Sequence, residues 1–242
     1  AGTGNQILLS GVARSGTTYT LFQGGSLTNT GDVTLGGAAI GNQTLALGGS
    51  ATVGRTTYTF GSTATALQLV VTGTQLTLTW TGAVDNVWNE STANWTAGSG
   101  ATNFYASDNA VINTAAAITV RPEGVVADGL TVGNASGAVT LTGGTVTATT
   151  LTKTGAGGLE FDNALAVSNA TVSSGSIAVT NGGTLSIPGT LTNNARVAFT
   201  GYTPQAVGAT LSGTGSLAVL GLEELVVVAG VIGVLAVTAG NL

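Results

Sequence analysis

The sequence predicts an all-β protein: a parallel β-helix or β-solenoid with rungs of about 20 residues, preceded by an irregular β-rich N-terminal region. A motif of two large apolar residues around one small or polar residue recurs seven times at nearly constant spacing. Five of the seven copies have a glycine two positions upstream. Charged residues make up only 6% of the chain and glycines number 39, which favours strands and tight turns over surface helices.

Each copy of the motif places two apolar side chains on one side of an extended strand. A fixed period near twenty is typical of stacked rungs, in which equivalent strands lie above one another in a parallel sheet. We predict that similar triplets at other positions form the other faces of each rung. The seven copies occupy 118–120, 139–141, 159–161, 177–179, 197–199, 217–219 and 235–237, and the other triplets occupy 130–132, 165–167 and 185–187.

The N-terminal region, residues 1–83, leaves two arrangements open. The segment Thr-Thr-Tyr-Thr occurs at 17–20 and at 56–59, an offset close to two rungs, and similar triplets at 58–60 and 78–80 are separated by one rung length. These spacings slightly favour irregular β-helix rungs. An antiparallel meander is the alternative, because several predicted strands follow one another at only about half that spacing. We therefore predict three regions: the β-rich 1–83, a Trp/Asn-rich loop or plug at 84–112, and a solenoid with apolar C-terminal strands at 113–242.

Composition limits the classes of partner and chemistry. Five Lys and Arg residues and a net charge of −5 argue against nucleic acid as a partner. The chain has no His and no Cys, which excludes imidazole-based metal sites and the usual nucleophilic triads, so no cofactor and no metal are expected. The apolar run at 225–237 is shorter than the roughly 20 residues of a membrane-spanning helix, and we predict buried strand there. Low charge also predicts association, since β proteins use charged surfaces to avoid it.

Carboxylates are the remaining candidates for catalysis. Glu160 and Asp162 alternate with apolar residues and are predicted to face outward about 6.5–7 Å apart, within the range of glycosidase carboxylate pairs. Their predicted neighbours are Thr and Ala side chains, whereas a catalytic cleft needs more convergent polar groups. We therefore expect a solvated strand face and no enzyme activity. Asp-Asn pairs at 85–86, 108–109 and 162–163 match no calcium-loop spacing and are predicted to cap turns.

Aromatic residues concentrate in the segment that interrupts the repeat. Trp88 and Trp95 lie seven positions apart, and Phe104 and Tyr105 follow. The four rings could form a sugar-stacking platform or a hydrophobic plug that closes a rung, and the plug is the favoured interpretation. In either case the indole N–H groups are expected to find polar partners.

These residues also carry a resemblance to a known family. Thr79-Trp80-Thr81-Gly82, Trp88-Asn89, Asn94-Trp95 and Asp108-Asn109-Ala110-Val111 precede the stretch Leu-Thr-Lys-Thr-Gly-Ala-Gly-Gly-Leu at 151–159. This order resembles the autotransporter-associated β-strand repeat proteins, and the stretch at 211–217 is similar to their repeat. The resemblance covers 19–217 and implies a bacterial protein, extracellular or at the cell surface, with a passenger-type β-helix. The chain departs from the pattern at Gly158-Leu159-Glu160-Phe161 and in the more apolar 222–237.

Three functions are compatible with these observations. The leading hypothesis is an extracellular structural protein that polymerises head-to-tail into a fibre or sheath, because terminal rungs expose apolar interior and unpaired strand edges. The alternative is an adhesin-type binding module that contacts glycans or host surfaces through Trp88 and Trp95. A polysaccharide-acting enzyme is third, with Glu160 and Asp162 as its only support.

Expected partners are copies of the chain itself and extracellular polysaccharide. The predicted subunit interface comprises Leu225, Val226, Val227, Val228, Val231, Ile232, Leu235 and Val237 at one end and Ile7, Leu8 and Leu9 at the other.

Overall fold

The computed structural model describes residues 5–9, 13–27, 33–98, 100–201, 205–219, 225–227 and 236–239. In this part of the chain the regular structure is β-strand, apart from one 3-10 turn at Ala38–Ile40. The all-β prediction is confirmed. No helix in the described ranges has the length and apolar composition needed to cross a membrane. The chain forms two compact units, Ala1–Gln75 with Tyr105–Ser107 and Leu76–Phe104 with Asp108–Leu242.

The first unit contains two small sheets. Its strands are β1 (Gln6–Leu8), β2 (Thr17–Gln23), β3 (Thr34–Gly36), β4 (Thr44–Ala46), β5 (Ser50–Val53), β6 (Thr56–Ser62) and β7 (Ala66–Gly73). One sheet has the order β1-β3-β4 and the other β2-β7-β6-β5. Leu35, Ile40, Phe60 and Leu69 are fully buried and form the centre of this unit's apolar core.

Antiparallel pairing dominates the first unit, so the slight preference for irregular rungs at its strands is wrong. The two Thr-Thr-Tyr-Thr segments lie in β2 and β6, which flank β7 as antiparallel neighbours; Tyr19 faces Leu69 and Tyr58 faces Val71. The physical reason is connection length. Two residues join β5 to β6 and three join β6 to β7, whereas a parallel pair needs a crossover of about a dozen residues or more. Of the pairs described in this unit, β1 with β3 is parallel.

The second unit is the solenoid. Its strands are β8 (Thr77–Trp80), β9 (Val87–Trp88), β10 (Trp95–Thr96), β11 (Ala101–Thr102), β12 (Asn109–Ile112), β13 (Ala116–Val120), β14 (Val125–Val126), β15 (Gly129–Val132), β16 (Ala138–Gly143), β17 (Val146–Lys153), β18 (Gly158–Phe161), β19 (Ala164–Val172), β20 (Ser176–Val179), β21 (Thr184–Ser186), β22 (Thr190–Asn193), β23 (Arg196–Phe199), β24 (Gln205–Val207), β25 (Thr210–Ser212), β26 (Ser216–Val219), β27 (Leu225–Val227) and β28 (Ala236–Ala239). The predicted parallel coils of about 20 residues are present and stack into about five turns.

The repeated motif forms the first face of the solenoid, a parallel sheet with the order β28-β26-β23-β20-β18-β16-β13-β9. Its five central copies are in the predicted register: Val139, Leu159, Ile177, Val197 and Leu217 lie opposite one another in sequence. The two outer copies differ from the prediction.

In the first copy, Ile118 pairs with Leu141 rather than Val139. In the last copy, Val237 lies opposite Leu217, the position predicted for Leu235, which is outside the described residues. A shift of two residues keeps the same side chains facing inward, so apolar alternation alone does not distinguish the two registers.

The remaining strands form two further faces. The second face consists of β14, the first halves of β17 and β19, and β21. The third face consists of β12, β15, the second halves of β17 and β19, β22 and β25. The long strands β17 and β19 thus belong to both faces. Of the triplets predicted to form other faces, 130–132 lies in β15, 165–167 lies in β19, and 185–187 begins in β21 and ends one residue after it. Inward side chains of all three faces form one continuous apolar core from Leu78 to Leu217.

Candidate functional site

The predicted acidic residues lie on a solvent-exposed surface. Glu160 and Asp162 are exposed on the outer side of the first face, where Glu160 lies between Thr140 and Ala178. In the described ranges, no group of three or more His, Cys, Asp or Glu side chains could hold a metal ion.

One of the three Asp-Asn pairs caps a turn as predicted, whereas Asp108 bonds to a segment distant in the sequence. Oδ1 of Asp85 accepts a hydrogen bond from the Val87 N–H at 2.8 Å. Oδ1 of Asp108, which is buried, accepts one from the Leu76 N–H at 2.9 Å. In the third pair it is the asparagine that bonds: Nδ2 of Asn163 donates to the Gly144 carbonyl at 2.6 Å.

Trp88 and Trp95 are fully buried, as the favoured plug interpretation predicts and contrary to the alternative of a glycan contact. Trp80, Trp88, Trp95 and Phe104 form a cluster with ring centroids 5.0–5.1 Å apart, in edge-to-face and tilted contacts. The cluster joins the apolar core beside β9 and β10, so the rings form a plug at this end of the solenoid core. An indole plane inside the core cannot stack on a sugar.

The expected polar partners of the indoles are absent from the described residues: Nε1 of Trp88 and Nε1 of Trp95 are buried without a hydrogen bond. The plug is held instead by the asparagines beside the tryptophans. Nδ2 of Asn94 donates to Oδ1 of Asp85 at 2.6 Å and to the Val87 carbonyl at 2.9 Å, and its Oδ1 accepts from the N–H groups of Val84 and Asp85.

Asn89 organises the turn between the two tryptophans. Its Oδ1 accepts hydrogen bonds from the Ser91 N–H at 2.9 Å and the Thr92 N–H at 2.8 Å, the pattern of an Asx turn. In the Trp-Asn and Asn-Trp pairs of the sequence, the asparagine therefore shapes the loop and the tryptophan belongs to the core.

A polar corner, defined by Asn134, Lys153 and Asn193, lies where the third face turns into the first. All three side chains are buried in the solenoid although they are polar. Nζ of Lys153 donates to the carbonyls of Thr154 and Gly155, and Nδ2 of Asn193 donates to the Ser216 carbonyl of the next rung at 2.9 Å. Burial lowers the pKa of the Lys153 ammonium. The sequence does not predict this corner, because a lysine normally indicates a surface position.

Glycines leave room for the polar corner. A Cβ on Gly157 would lie 2.2 Å from Nδ2 of Asn134, and one on Gly175 would lie 2.2 Å from the Gly157 carbonyl oxygen. Gly175 also has a φ of 72°. The glycines that recur before the repeat motif thus reflect close approach of successive turns. The last of them, Gly233, lies outside the described residues.

The residues of the predicted subunit interface are described only in part. Leu225, Val226 and Val227 form β27, which pairs with β24, and Val237 lies in β28. Val228, Val231, Ile232 and Leu235 lie outside the described residues. In the first unit, Ile7 and Leu8 belong to β1; Leu8 is 69% exposed, whereas Ile7 and Leu9 pack against the core of that unit.

The outer side of the third face carries two rows of short polar side chains, which we call the threonine face. Parallel pairing of β15, β17, β19, β22 and β25 aligns them rung by rung. The first row is Thr131, Thr152, Thr171, Thr192 and Ser212, and the second is Thr150, Asn169, Thr190 and Thr210, which Gly129 precedes.

The threonine face is regular in two directions. Neighbouring rungs of a sheet lie about 4.7–4.9 Å apart, and residues two positions apart on one strand lie about 6.5–7 Å apart. Hydrogen bonds tie rows across rungs: the hydroxyls of Thr192 and Ser212 are 3.1 Å apart, and the Thr190 N–H donates to Oδ1 of Asn169 at 2.9 Å. The second row is exposed and the first is half-buried.

Charge distinguishes the threonine face from the first face. Neither of its rows contains an ionisable side chain, whereas the outer side of the first face exposes Glu160, Asp162 and Arg196. The sequence does indicate this surface, although the apolar motif is the more prominent repeat. Thr-Leu-Thr at 150–152 and 190–192 and Thr-Leu-Ser at 210–212 recur at whole multiples of the rung length.

Comparison of the chain with protein-family models, curated proteins and solved structures found no match. The resemblance to autotransporter-associated repeat proteins therefore stays a prediction from the sequence motifs.

Proposed function

We propose that this chain is an extracellular structural protein, a β-solenoid subunit that stacks head-to-tail into a fibre or sheath. The observation that supports this proposal is the repetition of one pairing geometry. β28 lies on β26 in the same register as β26 lies on β23, so that Val197, Leu217 and Val237 form one column. β28 is at the edge of the first face, so a strand of another copy can pair with it in parallel.

A second strand edge supports the proposal from the first unit. β1 stands at the edge of its three-stranded sheet, is paired in parallel with β3, and carries Leu8 with 69% of its surface exposed. Edge strands of this kind are templates for pairing with another chain. In the proposed assembly β1 is the receiving edge and the strands of 225–242 are the donating end.

The composition of the walls and the family resemblance support the location. With 6% charged residues, the chain has few of the side chains that keep β proteins apart. The resemblance of the Trp/Asn segment to autotransporter-associated repeats supports a bacterial cell-surface or secreted protein.

Sedimentation velocity over a range of concentrations tests the proposal. We expect large assemblies of the wild-type chain, and their loss when Leu8→Lys places a charge on β1 or when 225–242 are deleted. Val84→Lys is the matched control, because Val84 is a loop residue with a similar exposure of 64%. A wild-type chain that stays monomeric at every concentration, or assembly that survives both changes, would refute the proposal.

A further inference from the structure

We propose that the threonine face is a binding site for the surface of ice. Its two rows form a rectangular grid of hydroxyl and amide groups that can hold a layer of water in a crystalline arrangement. This inference is independent of head-to-tail assembly, since it uses the side of the solenoid and not its ends.

The repeats of the threonine face match those of an ice surface. Rung spacing of about 4.7–4.9 Å and an along-strand spacing of about 6.5–7 Å define the grid. The prism faces of hexagonal ice present oxygen atoms on a rectangular grid. Its shorter repeat is close to the rung spacing, and its longer repeat is close to the along-strand spacing. In-register pairing extends the first row over five consecutive rungs, from Thr131 to Ser212, and the second row over four, from Thr150 to Thr210.

The side chains of the threonine face are held rigidly. Threonine is β-branched, so its χ1 is restricted and its hydroxyl and methyl groups keep fixed positions on a strand. The residues between the two rows, Leu151, Ala170, Leu191 and Leu211, are buried in the core and anchor each strand. A fixed array loses little side-chain entropy when it orders water, and water-mediated hydrogen bonds are nearly as favourable as direct ones.

The described positions of the two rows carry no group that would disturb an ordered layer of water. No row position described in β15, β17, β19, β22 or β25 is charged, and none carries a long flexible side chain. Where Asn109 and Thr150 approach each other across β15, Gly129 leaves room: a Cβ there would lie 2.8 Å from Oδ1 of Asn109 and 3.3 Å from the hydroxyl oxygen of Thr150.

A crystalline polysaccharide is the competing ligand, and the chemistry of the face disfavours it. The apolar face of a sugar ring packs best on an aromatic ring, which supplies a large flat apolar surface. The two rows contain no aromatic residue, and the described tryptophans are buried in the plug.

The experiment compares the wild-type chain with Thr171→Lys on the threonine face. Thr140→Lys is the matched control, because Thr140 is also a half-buried, outward-facing strand residue, but on the first face. Thermal hysteresis and the partition of fluorescently labelled protein into a growing ice crystal are measured for each, with circular dichroism to establish that all three chains are folded. We expect hysteresis and incorporation into ice for the wild type and Thr140→Lys, and loss of both for Thr171→Lys.

Several results would overturn the proposal. Exclusion of folded wild-type protein from ice is one, and undiminished incorporation of Thr171→Lys is another. If Thr171→Lys instead abolishes binding to microcrystalline cellulose while no chain enters ice, the face recognises polysaccharide. If it abolishes lateral pairing in sedimentation without any effect on ice, the face binds a second copy.

Discussion

Lys153 lies opposite Val132 on one neighbouring strand and Val172 on the other, so a lysine occupies a column of core positions. Its side chain is fully buried, and Nζ donates to the carbonyls of Thr154 and Gly155 in its own turn. The ammonium replaces apolar contact with hydrogen bonds that fix the turn into the first face. This substitution of polar bonds for packing makes the stability of the solenoid sensitive to the protonation of one residue.

We predict that the free energy of unfolding rises at alkaline pH because of Lys153. Burial lowers the pKa of this lysine in the folded state below its ordinary value of 10.5. Between the lowered pKa and 10.5 the unfolded chain binds more protons, so stability increases with pH in that window. Below the lowered pKa both states are protonated and the cost of the buried charge is constant.

Urea unfolding of the wild type and Lys153→Met from about pH 7 to about pH 10 measures this effect. Methionine has a similar length and does not titrate. The alkaline rise should be present in the wild type and absent from Lys153→Met. Identical pH profiles for the two chains would show that Lys153 does not contribute.

Gly175→Ala should destabilise the solenoid by at least about 2 kcal/mol, because the new Cβ meets a backbone oxygen and the residue has a positive φ. That Cβ would lie 2.2 Å from the Gly157 carbonyl oxygen and 3.0 Å from Nζ of Lys153. Gly182→Ala is the control, since a Cβ there meets nothing within 4 Å. Equal unfolding midpoints for the two variants would contradict the close approach of turns at the polar corner.

Asn94→Ala should lower the free energy of unfolding by about 1–3 kcal/mol, since it removes four side-chain hydrogen bonds from a fully buried position. Asn86→Ala serves as the comparison, because Asn86 is exposed in the same loop. Chemical denaturation followed by tryptophan fluorescence reports on both. If the two substitutions have the same small effect, Asn94 does not hold the plug.

Trp95→Ala should cost about 3–5 kcal/mol, the usual range for removing a buried tryptophan. Its ring contacts Trp80, Trp88 and Phe104, so the cavity opens in the centre of the plug. Phe22→Ala, at a residue 52% exposed, should have little effect. Thermal unfolding distinguishes the two, and an unchanged midpoint for Trp95→Ala would show that this ring does not stabilise the plug.

Sequence periodicity is sufficient to predict the solenoid and insufficient for the first unit. The central copies from Val139 to Leu217 are in register because a rung of nearly constant length returns each apolar pair to the same place. Tyr58 and Leu78 are also separated by one rung length, yet they belong to different units. The short connections before and after β6 determine its antiparallel pairing. In the sequence, such connections are a weaker indication than the repeated spacing.

The surface features are harder to predict for a different reason. In the sequence, the threonines at 150, 152, 190 and 192 resemble ordinary strand formers. They form rows only because β19 aligns β17 with β22, and this register is known from the structure alone. In the sequence, Lys153 is one residue of the polar and glycine-rich stretch at 151–159, and nothing in that stretch indicates a buried lysine. Its burial depends on the turn at Gly155, which follows from the three-dimensional path of the chain and not from local alternation.

Electron microscopy of the purified chain at increasing concentration tests the central claim, head-to-tail stacking, most directly. We predict long fibres one solenoid wide, with a layer-line repeat of about 4.8 Å along the fibre axis because the strands lie across it. Discrete particles at every concentration, or fibres with the strand repeat perpendicular to the axis, would contradict it.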